Sequence, residues 1–424
     1  MSADIKLPKD WKWVKLGDVC EKMSNGANAK QSDEKIGLPI SRIETIWNET
    51  IDLDRVKYIA ENDKDFVEKY ALKKNDILFS HINSDIHLGK TAIYKGIPKT
   101  LIHGINLLLI RLNKEASPDF FNYQLKHKRK KGEFINIAQK SVNQSSINQP
   151  KLKNLDFVLP PLSTQQSIVS KIEELFSELD NGIANLKTAQ LQLKTYRQSV
   201  LKWTFEGKLT NKKVKEGELP KGWKEVNFGE LFSESPQNGL YKPSTEYGSG
   251  TPIIRIDSFY DGIVLSDHEY KKVKLTKDEI IRYQINIGDI LINRVNSMPY
   301  LGKCGIVKHL KEKTVFESNI MKISVDKVIV FPEYLSMYLS SKKGLSELRK
   351  NAKQAVNQAS INQTDVSNVL VPLPKIDEQK QIVQEIESRL SVADKMEESI
   401  TQSLQQAEAL RQSILKNAFE GKLI

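Results

Sequence analysis

Apolar residues along the chain follow two rhythms. Short β-rich runs, such as Asp76-Ile77-Leu78-Phe79-Ser80-His81-Ile82 and Leu107-Leu108-Leu109-Ile110-Arg111-Leu112, are interleaved with helical stretches such as 118–127. That helix opens on Pro118, a residue tolerated in a first helical turn. The mixture predicts an α+β globule. It closes at Leu159-Pro160-Pro161-Leu162, where the prolines end a strand and precede a helix. There the second rhythm begins: Ile168, Ile172, Leu175, Leu179, Gly182, Leu186, Ala189, Leu193, Tyr196 and Val200 recur in steps of four and three, a heptad seam. At 1.5 Å per residue it extends about 50 Å, longer than most globules need internally. Gly207 then stands where a helix wants a left-handed terminal residue.

The whole pattern is written twice, offset by about 213 residues. Leu7-Pro8-Lys9-Asp10-Trp11-Lys12 returns as Leu219-Pro220-Lys221-Gly222-Trp223-Lys224, and Val142-Asn143-Gln144-Ser145-Ser146-Ile147-Asn148-Gln149 as Val356-Asn357-Gln358-Ala359-Ser360-Ile361-Asn362-Gln363. Phe205-Glu206-Gly207-Lys208-Leu209 returns as Phe419-Glu420-Gly421-Lys422-Leu423. The second globule is expected to repeat the strands at 289–295 and 319–325 and the helix at 332–340, ending at Val371-Pro372-Leu373-Pro374. Its seam reads Ile382, Ile386, Arg389, Ala393, Met396, Ile400, Ser403, Ala407, Leu410 and Ile414. Small residues of the second seam complement large ones of the first if the helices pair antiparallel: Ile168 against Ile414 sets Leu175 by Ala407, Leu179 by Ser403 and Gly182 by Ile400. The expected fold is α+β, with two pseudo-repeated α/β domains (1–160 and 211–374) and two long helices (161–210 and 375–424) forming an antiparallel coiled coil. A polar link near 211–218 joins the copies.

Composition narrows the function. Sixty-four Lys and Arg against 53 Asp and Glu leave a net charge of +11, which suits a polyanionic partner. No run of about 18 apolar residues and no apolar leader is present, so a cytoplasmic protein with no membrane partner is expected. Two cysteines, Cys20 and Cys304, suit a reducing compartment and cannot build a Cys-rich zinc site. Gly89-Lys90-Thr91 resembles the end of a phosphate loop, but Ser84 occupies the place of the motif's first Gly, and a tight turn is the better reading. Asp261 with Glu269-Tyr270-Lys271 mimics a nuclease's metal-binding acids and Lys, a pattern equally suited to a solvated charged loop. His81, His87 and His103 lack metal-ligand spacing. What remains is a set of side chains suited to DNA, most of them at matching places in both copies. They are Lys30, Arg42, His81, Asn83, Lys90, Lys128, Arg129, Lys140 and Asn143, and Lys242, Arg255, Arg294, Asn296, Lys303, Lys353, Gln354 and Asn357. Arg, Lys, Asn and Gln read base edges or hold phosphates, and either role is open to each. The run 126–131, Lys-His-Lys-Arg-Lys-Lys, is a phosphate patch or a solvated helix end.

With Leu-Pro-x-x-Trp opening each globule, a Gln-containing helix after each Pro stretch and Phe-Glu-Gly-Lys-Leu ending each helix, essentially all of the chain resembles the specificity subunit of type I DNA restriction-modification systems. Gln165 and Gln379 match the Gln of the family's Glu-Gln pair; Glu378 keeps the Glu, whereas Thr164 departs from it. The resemblance implies a noncatalytic subunit whose two target-recognition domains each read half of a bipartite, asymmetric site in double-stranded DNA. The helices would set the gap and dock two modification subunits carrying S-adenosylmethionine. Restriction subunits would bring ATP and Mg²⁺, and this chain would hold no cofactor. The competing readings are a self-contained nuclease or methyltransferase and a purely structural coiled-coil scaffold.

Overall fold

The computed structural model describes residues 7–142, 144–209, 214–215, 218–260, 262–265 and 269–424, and forms two compact units, Met1–Leu186 with Gln402–Ile424 and Lys187–Thr401. In the first, an antiparallel sheet has the order Cys20–Asn25, Leu107–Leu112, Ile77–Ser80, Thr91–Ile93. Successive residues of a strand face opposite ways, and here both faces are covered. Ile77, Phe79, Leu108 and Ile110 pack with Phe120, Phe121 and Leu125 of the helix Pro118–Lys130, while Leu78, Leu107 and Leu109 pack with Ala92, Tyr94 and Leu101. Two buried faces explain why these strands read as unbroken apolar runs.

The second unit repeats the plan with a mixed six-stranded sheet. Its centre, Ile290–Asn293 between Ile320–Ile323 and Cys304–Ile306, turns Ile290 and Ile292 toward the helix Pro332–Ser340 and Leu291 toward Phe259 and Phe316. Beside each globule a two-stranded ladder pairs its first and last strands, Lys12–Lys15 with Asp156–Leu159 and Lys224–Asn227 with Leu370–Leu373.

Each globule passes into a 44-residue helix, Leu162–Phe205 or Ile376–Phe419, through a fully buried glutamine. Gln165 accepts from the Ser117 backbone N–H (2.7 Å) and donates to the carbonyls of Glu115 and Pro160 (both 2.9 Å). Gln379 repeats the arrangement with the Phe331 N–H (2.7 Å) and the carbonyls of Ile329 (3.2 Å) and Pro374 (2.9 Å). The neighbouring Glu378 accepts from the indole N–H of Trp223 at 3.0 Å, which ties the Leu-Pro-x-x-Trp motif to the helix. Thr164 holds the matching place in the first copy.

The first long helix starts in the first unit and ends in the second, and the other does the reverse. Each globule is thus closed by the helix end of the other repeat. Phe419 lies edge-on to Phe120 at 5.6 Å, and Phe205 edge-on to Tyr334 at 5.5 Å and Tyr338 at 5.2 Å. Gly207 and Gly421 follow with φ of +70°. A Cβ there would run into the ring of Pro220 or Pro8, so the helix-end and Leu-Pro motifs fit only with glycine.

Within each unit the helices pack antiparallel. In the first, Ile168 and Ile172 share a cluster with Ile414 and Phe419, while farther along Arg411 pairs with Asp180 and covers the Phe176 ring at 4.5 Å. In the second, Arg197 reaches Asp394 (2.7 Å) and Glu397 (2.9 Å). These contacts correct the expected register. Pairing Ile168 with Ile414 puts Lys171 opposite Arg411, and Asp180 is about 13 Å farther on, too far for an Arg–Asp pair between axes about 8–10 Å apart. The register is displaced by about a turn or more.

The seam is also less regular than its heptads. Ile168, Ile172, Val200, Ile382, Ile386, Leu193 and Ile414 are buried, and Leu175, Leu179, Leu186 and Ile400 are half-buried. Gly182 is exposed, and Met396 and Leu410 are about half exposed. A straight helix drifts about 20° per heptad, so a strict seven-residue spacing does not keep to one buried face. Away from the helix ends the buried seam positions Leu193, Ala393 and Ala407 alternate with exposed ones.

Replacing Gln165 by Ala removes the partner of one backbone N–H and two carbonyls, at about 1–3 kcal/mol for each group left without water or partner. Gln165→Ala and Gln379→Ala are each expected to lower unfolding stability by about 2–4 kcal/mol, against no change for exposed Gln166→Ala. Equal denaturation midpoints for Gln165→Ala and Gln166→Ala would refute the clamp.

Candidate nucleic-acid interface

Beside each sheet lies a small three-stranded ribbon in which one edge strand and the central strand form a hairpin. In the first unit its order is Gln139–Lys140, Ser145–Ser146, Ile82–Asn83; in the second, Lys353–Gln354, Ala359–Ser360, Val295–Asn296. The hairpins turn tightly: the Ser141 N–H donates to the Gln144 carbonyl (2.8 Å) and the Ala355 N–H to that of Gln358 (2.7 Å). Lys140, Lys353, Gln354 and Asn357 are exposed along them, and Lys140 lies 3.9 Å from Asp85. Asn143 lies outside the described residues. Next to the first hairpin is a cleft of about 520 Å³, lined by Asn25, His81, Ser146, Asn148, Gln149 and Lys153.

The other candidates sit in a different chemical setting. Arg42 pairs with Glu44 (3.2 Å), Lys242 with Glu279 (2.8 Å) and Arg255 with Glu317 (3.1 Å). Arg294 donates to the Ser318 carbonyl at 3.1 Å, and Lys303 lies 3.3 Å from the centre of the Tyr260 ring. Asn83 and Asn296 accept from the next residue's N–H, closing local turns. Lys90 sits by Arg129, and burial lowers the pKa of both. Lys30 is exposed. His81 is buried, its Nδ1 has no partner, and burial pulls its pKa down to about 4, so at neutral pH it is an uncharged group, not a phosphate cation.

The basic run 126–131 is structural for most of its length. Lys126 pairs with Glu49, Lys128 with Glu133 and Lys130 with Glu408. Arg129 ties down the carbonyls of Ile86 and Leu88, as Arg349 does those of Pro299 and Leu301. Buried His127 packs 5.5 Å from Phe419. The Gly89-Lys90-Thr91 segment is a turn, with φ of +73° at Gly89 and at its counterpart Gly302, each N–H returning to the preceding strand. Of the nuclease-like set, Glu269, Tyr270 and Lys271 line an open cleft of about 710 Å³, and Asp261 lies outside the described residues. Among the described residues no cluster of three potential metal ligands occurs, and no helix is long and apolar enough to cross a membrane.

The family model for the type I restriction modification DNA specificity domain matches the chain twice, over residues 8–188 and 220–406. The chain belongs to this family. The type I restriction enzyme MjaX specificity subunit of Methanocaldococcus jannaschii is 34% identical, over 99% of this chain and 95% of that protein. The EcoKI specificity subunit of Escherichia coli K12 is 26% identical, over 100% and 91%. Among solved structures, a chain of a type I R-M system superimposes with a TM-score of 0.74 at 20% identity, covering 98% of this chain and 99% of its own. The HsdS subunit of Thermoanaerobacter tengcongensis gives 0.62 at 20%, covering 99% of each. Those two likenesses bear on the fold. The chain is a specificity subunit, a noncatalytic DNA-recognition component, and family membership leaves the self-contained enzyme without support. The family's Gln, which the sequence marks only as a motif, acts here as the clamp between globule and helix.

His127 shares the depressed pKa of about 4, again through burial first. The unfolded chain titrates its histidines near 6.5, so between that pH and about 4 it binds more protons than the folded one. Stability from each is full above about pH 6.5 and falls toward pH 4, by at most about 1.4 kcal/mol per pH unit. The first unit is expected to lose stability over this window, with His81→Gln and His127→Gln flattening the loss in urea melts across pH. An unchanged slope in the double variant would contradict it.

Proposed function

We propose that this specificity subunit reads a bipartite, asymmetric site in double-stranded DNA, with target-recognition domains 1–160 and 211–374 each taking one half. The observation that carries this is the recurrence, in both units, of the same exposed hairpin bearing Lys, Gln or Asn, in a chain that matches the DNA specificity model twice. A two-stranded ribbon fits the major groove, where Lys, Asn and Gln meet base edges or phosphates. The helical segments 161–210 and 375–424 serve as the spacer that sets the unread gap and as the dock for two modification subunits. Those subunits bring S-adenosylmethionine; restriction subunits bring ATP and Mg²⁺, and the complex works in the cytoplasm. The most exposed cations, led by Lys30, Lys353 and Lys140, the last on release from Asp85, give the phosphate contacts, and the candidates held closer to their carboxylates mainly shape the surface.

Two measurements test this. Replacing residues 1–160 by the matching domain of a relative should change one half of the methylated motif and leave the other. Inserting four residues near Ala184 should alter only the gap, the helix lengthening by about 6 Å. A swap that changes both halves refutes one domain per half-site. DNA binding by the complex should also fall with salt, at a log–log slope of roughly −0.9 per phosphate contact, and a flat dependence would contradict phosphate-led affinity.

A further inference from the structure

The repeated segment 142–149, matched by 356–363, divides into two parts. Its second half is explained by the fold. Ile147 and Ile361 are buried core residues at 1% exposure. Asn148 and Asn362 cap the following short helices, accepting from the N–H groups of Lys151 (2.9 Å) and Asp365 (3.0 Å). The residue that opens each segment has no such role, whereas Ser145 and Ala359 farther along are again buried on the ribbon's central strand. Val142 and Val356 occupy the hairpin turns at 96% and 98% exposure, and neither belongs to an apolar cluster. Tight hairpin turns favour Asn, Asp and Gly, whereas a β-branched residue there gains nothing from the turn. A single exposed Val is ordinary on a protein surface. The same Val at the same turn of both units, each time beside exposed Lys or Gln, calls for a cause outside the chain.

Resting on the DNA-reading function above, we propose that Val142 and Val356 are paired DNA wedges, hairpin-tip residues that enter the groove and pack their methyl groups against the bases of their own half-site. DNA is the occupant that the surroundings favour, because the flanking side chains suit base edges and phosphates and the ribbon has the width a groove admits. Apolar side chains set among bases are an established way of using a groove without reading a full hydrogen-bond code. Being identical in two domains that read different halves, the tips act on what the halves have in common and not on what distinguishes them.

The test uses the full chain with its modification subunits. Val356→Ala should slow methylation in the half-site of domain 211–374 roughly tenfold, equivalent to about 1.4 kcal/mol. With DNA at saturating concentration, where weaker binding of the whole complex no longer limits either half, the other half-site and the methylated sequence should stay unchanged, and Val142→Ala should do the mirror image. Val356→Ile should restore the rate. Since Val carries no charge, Val356→Ala should weaken binding without altering the salt slope, whereas Lys353→Ala should reduce that slope by about 0.9. Near-complete exposure means that neither Val variant should shift the melting transition. Rates within twofold of wild type in both halves, an equal fall in both, or a changed motif would overturn the wedge. A wild-type complex that methylates no discrete bipartite sequence would instead overturn the proposed function, and the wedge with it.

Discussion

A glutamine amide accepts and donates at once, and two buried amides fix how this chain passes from globule to helix. Gln165 and Gln379, themselves fully buried, each hold one backbone N–H and two carbonyls. Two of the three groups come from the segment that enters the globule's own helix, and the third from the Pro stretch just before the long helix. The junction is thereby locked from both sides, and the direction in which the long helix leaves is set by hydrogen bonds. Glutamate could accept but not donate to both carbonyls, and an apolar residue could do neither. The difference just before the glutamine, Thr164 against Glu378, changes the tie to the tryptophan motif and leaves the clamp untouched.

That locked junction gives meaning to the exchange of helix ends. Phe419 completes the core beside Phe120, and Phe205 completes the one beside Tyr334 and Tyr338. Removing either helix end would open a cavity the size of an aromatic ring in the other repeat's globule, a change that costs about 3–5 kcal/mol when made by truncating one side chain. The glycines and prolines beyond the helix ends serve the same closure, since the ring of Pro8 or Pro220 occupies the volume where any other residue's Cβ would stand.

Much of this architecture was legible in the sequence because it rests on local pattern. The runs at 76–82 and 107–112 gave strands, Pro118 opened a helix, and Gly207 and Gly421 took the left-handed conformation expected after a helix. What escaped depends on partners far along the chain. The partner of Arg255, Glu317, lies 62 residues away, and the partners of Lys126 and Lys130, Glu49 and Glu408, carry no local signal. The heptad count likewise assigned Met396 and Leu410 to a seam, although spacing alone carries no information on where a globule ends and solvent begins. His81 shows the same limit: only its burial reveals that it is neutral.

Pairing so many cations inside the fold has a consequence for recognition. A net charge of +11 would suggest broad, nonspecific attraction to DNA, but charge already matched by Glu44, Glu279 or Glu317 adds little to phosphate binding unless those pairs break. In the proposed function affinity then falls to the few exposed cations, and discrimination to side chains held by rigid neighbours. The hairpins meet that requirement because their inner strands join the ribbon and the buried isoleucines and capping asparagines behind them fix their base. The turn residues, with Lys140, Lys353 and Gln354 on the strands beside them, are left exposed. In such an arrangement sequence can vary on the strands and turns without disturbing the clamps or the exchanged helix ends. The fold therefore separates what holds the molecule together from what it reads.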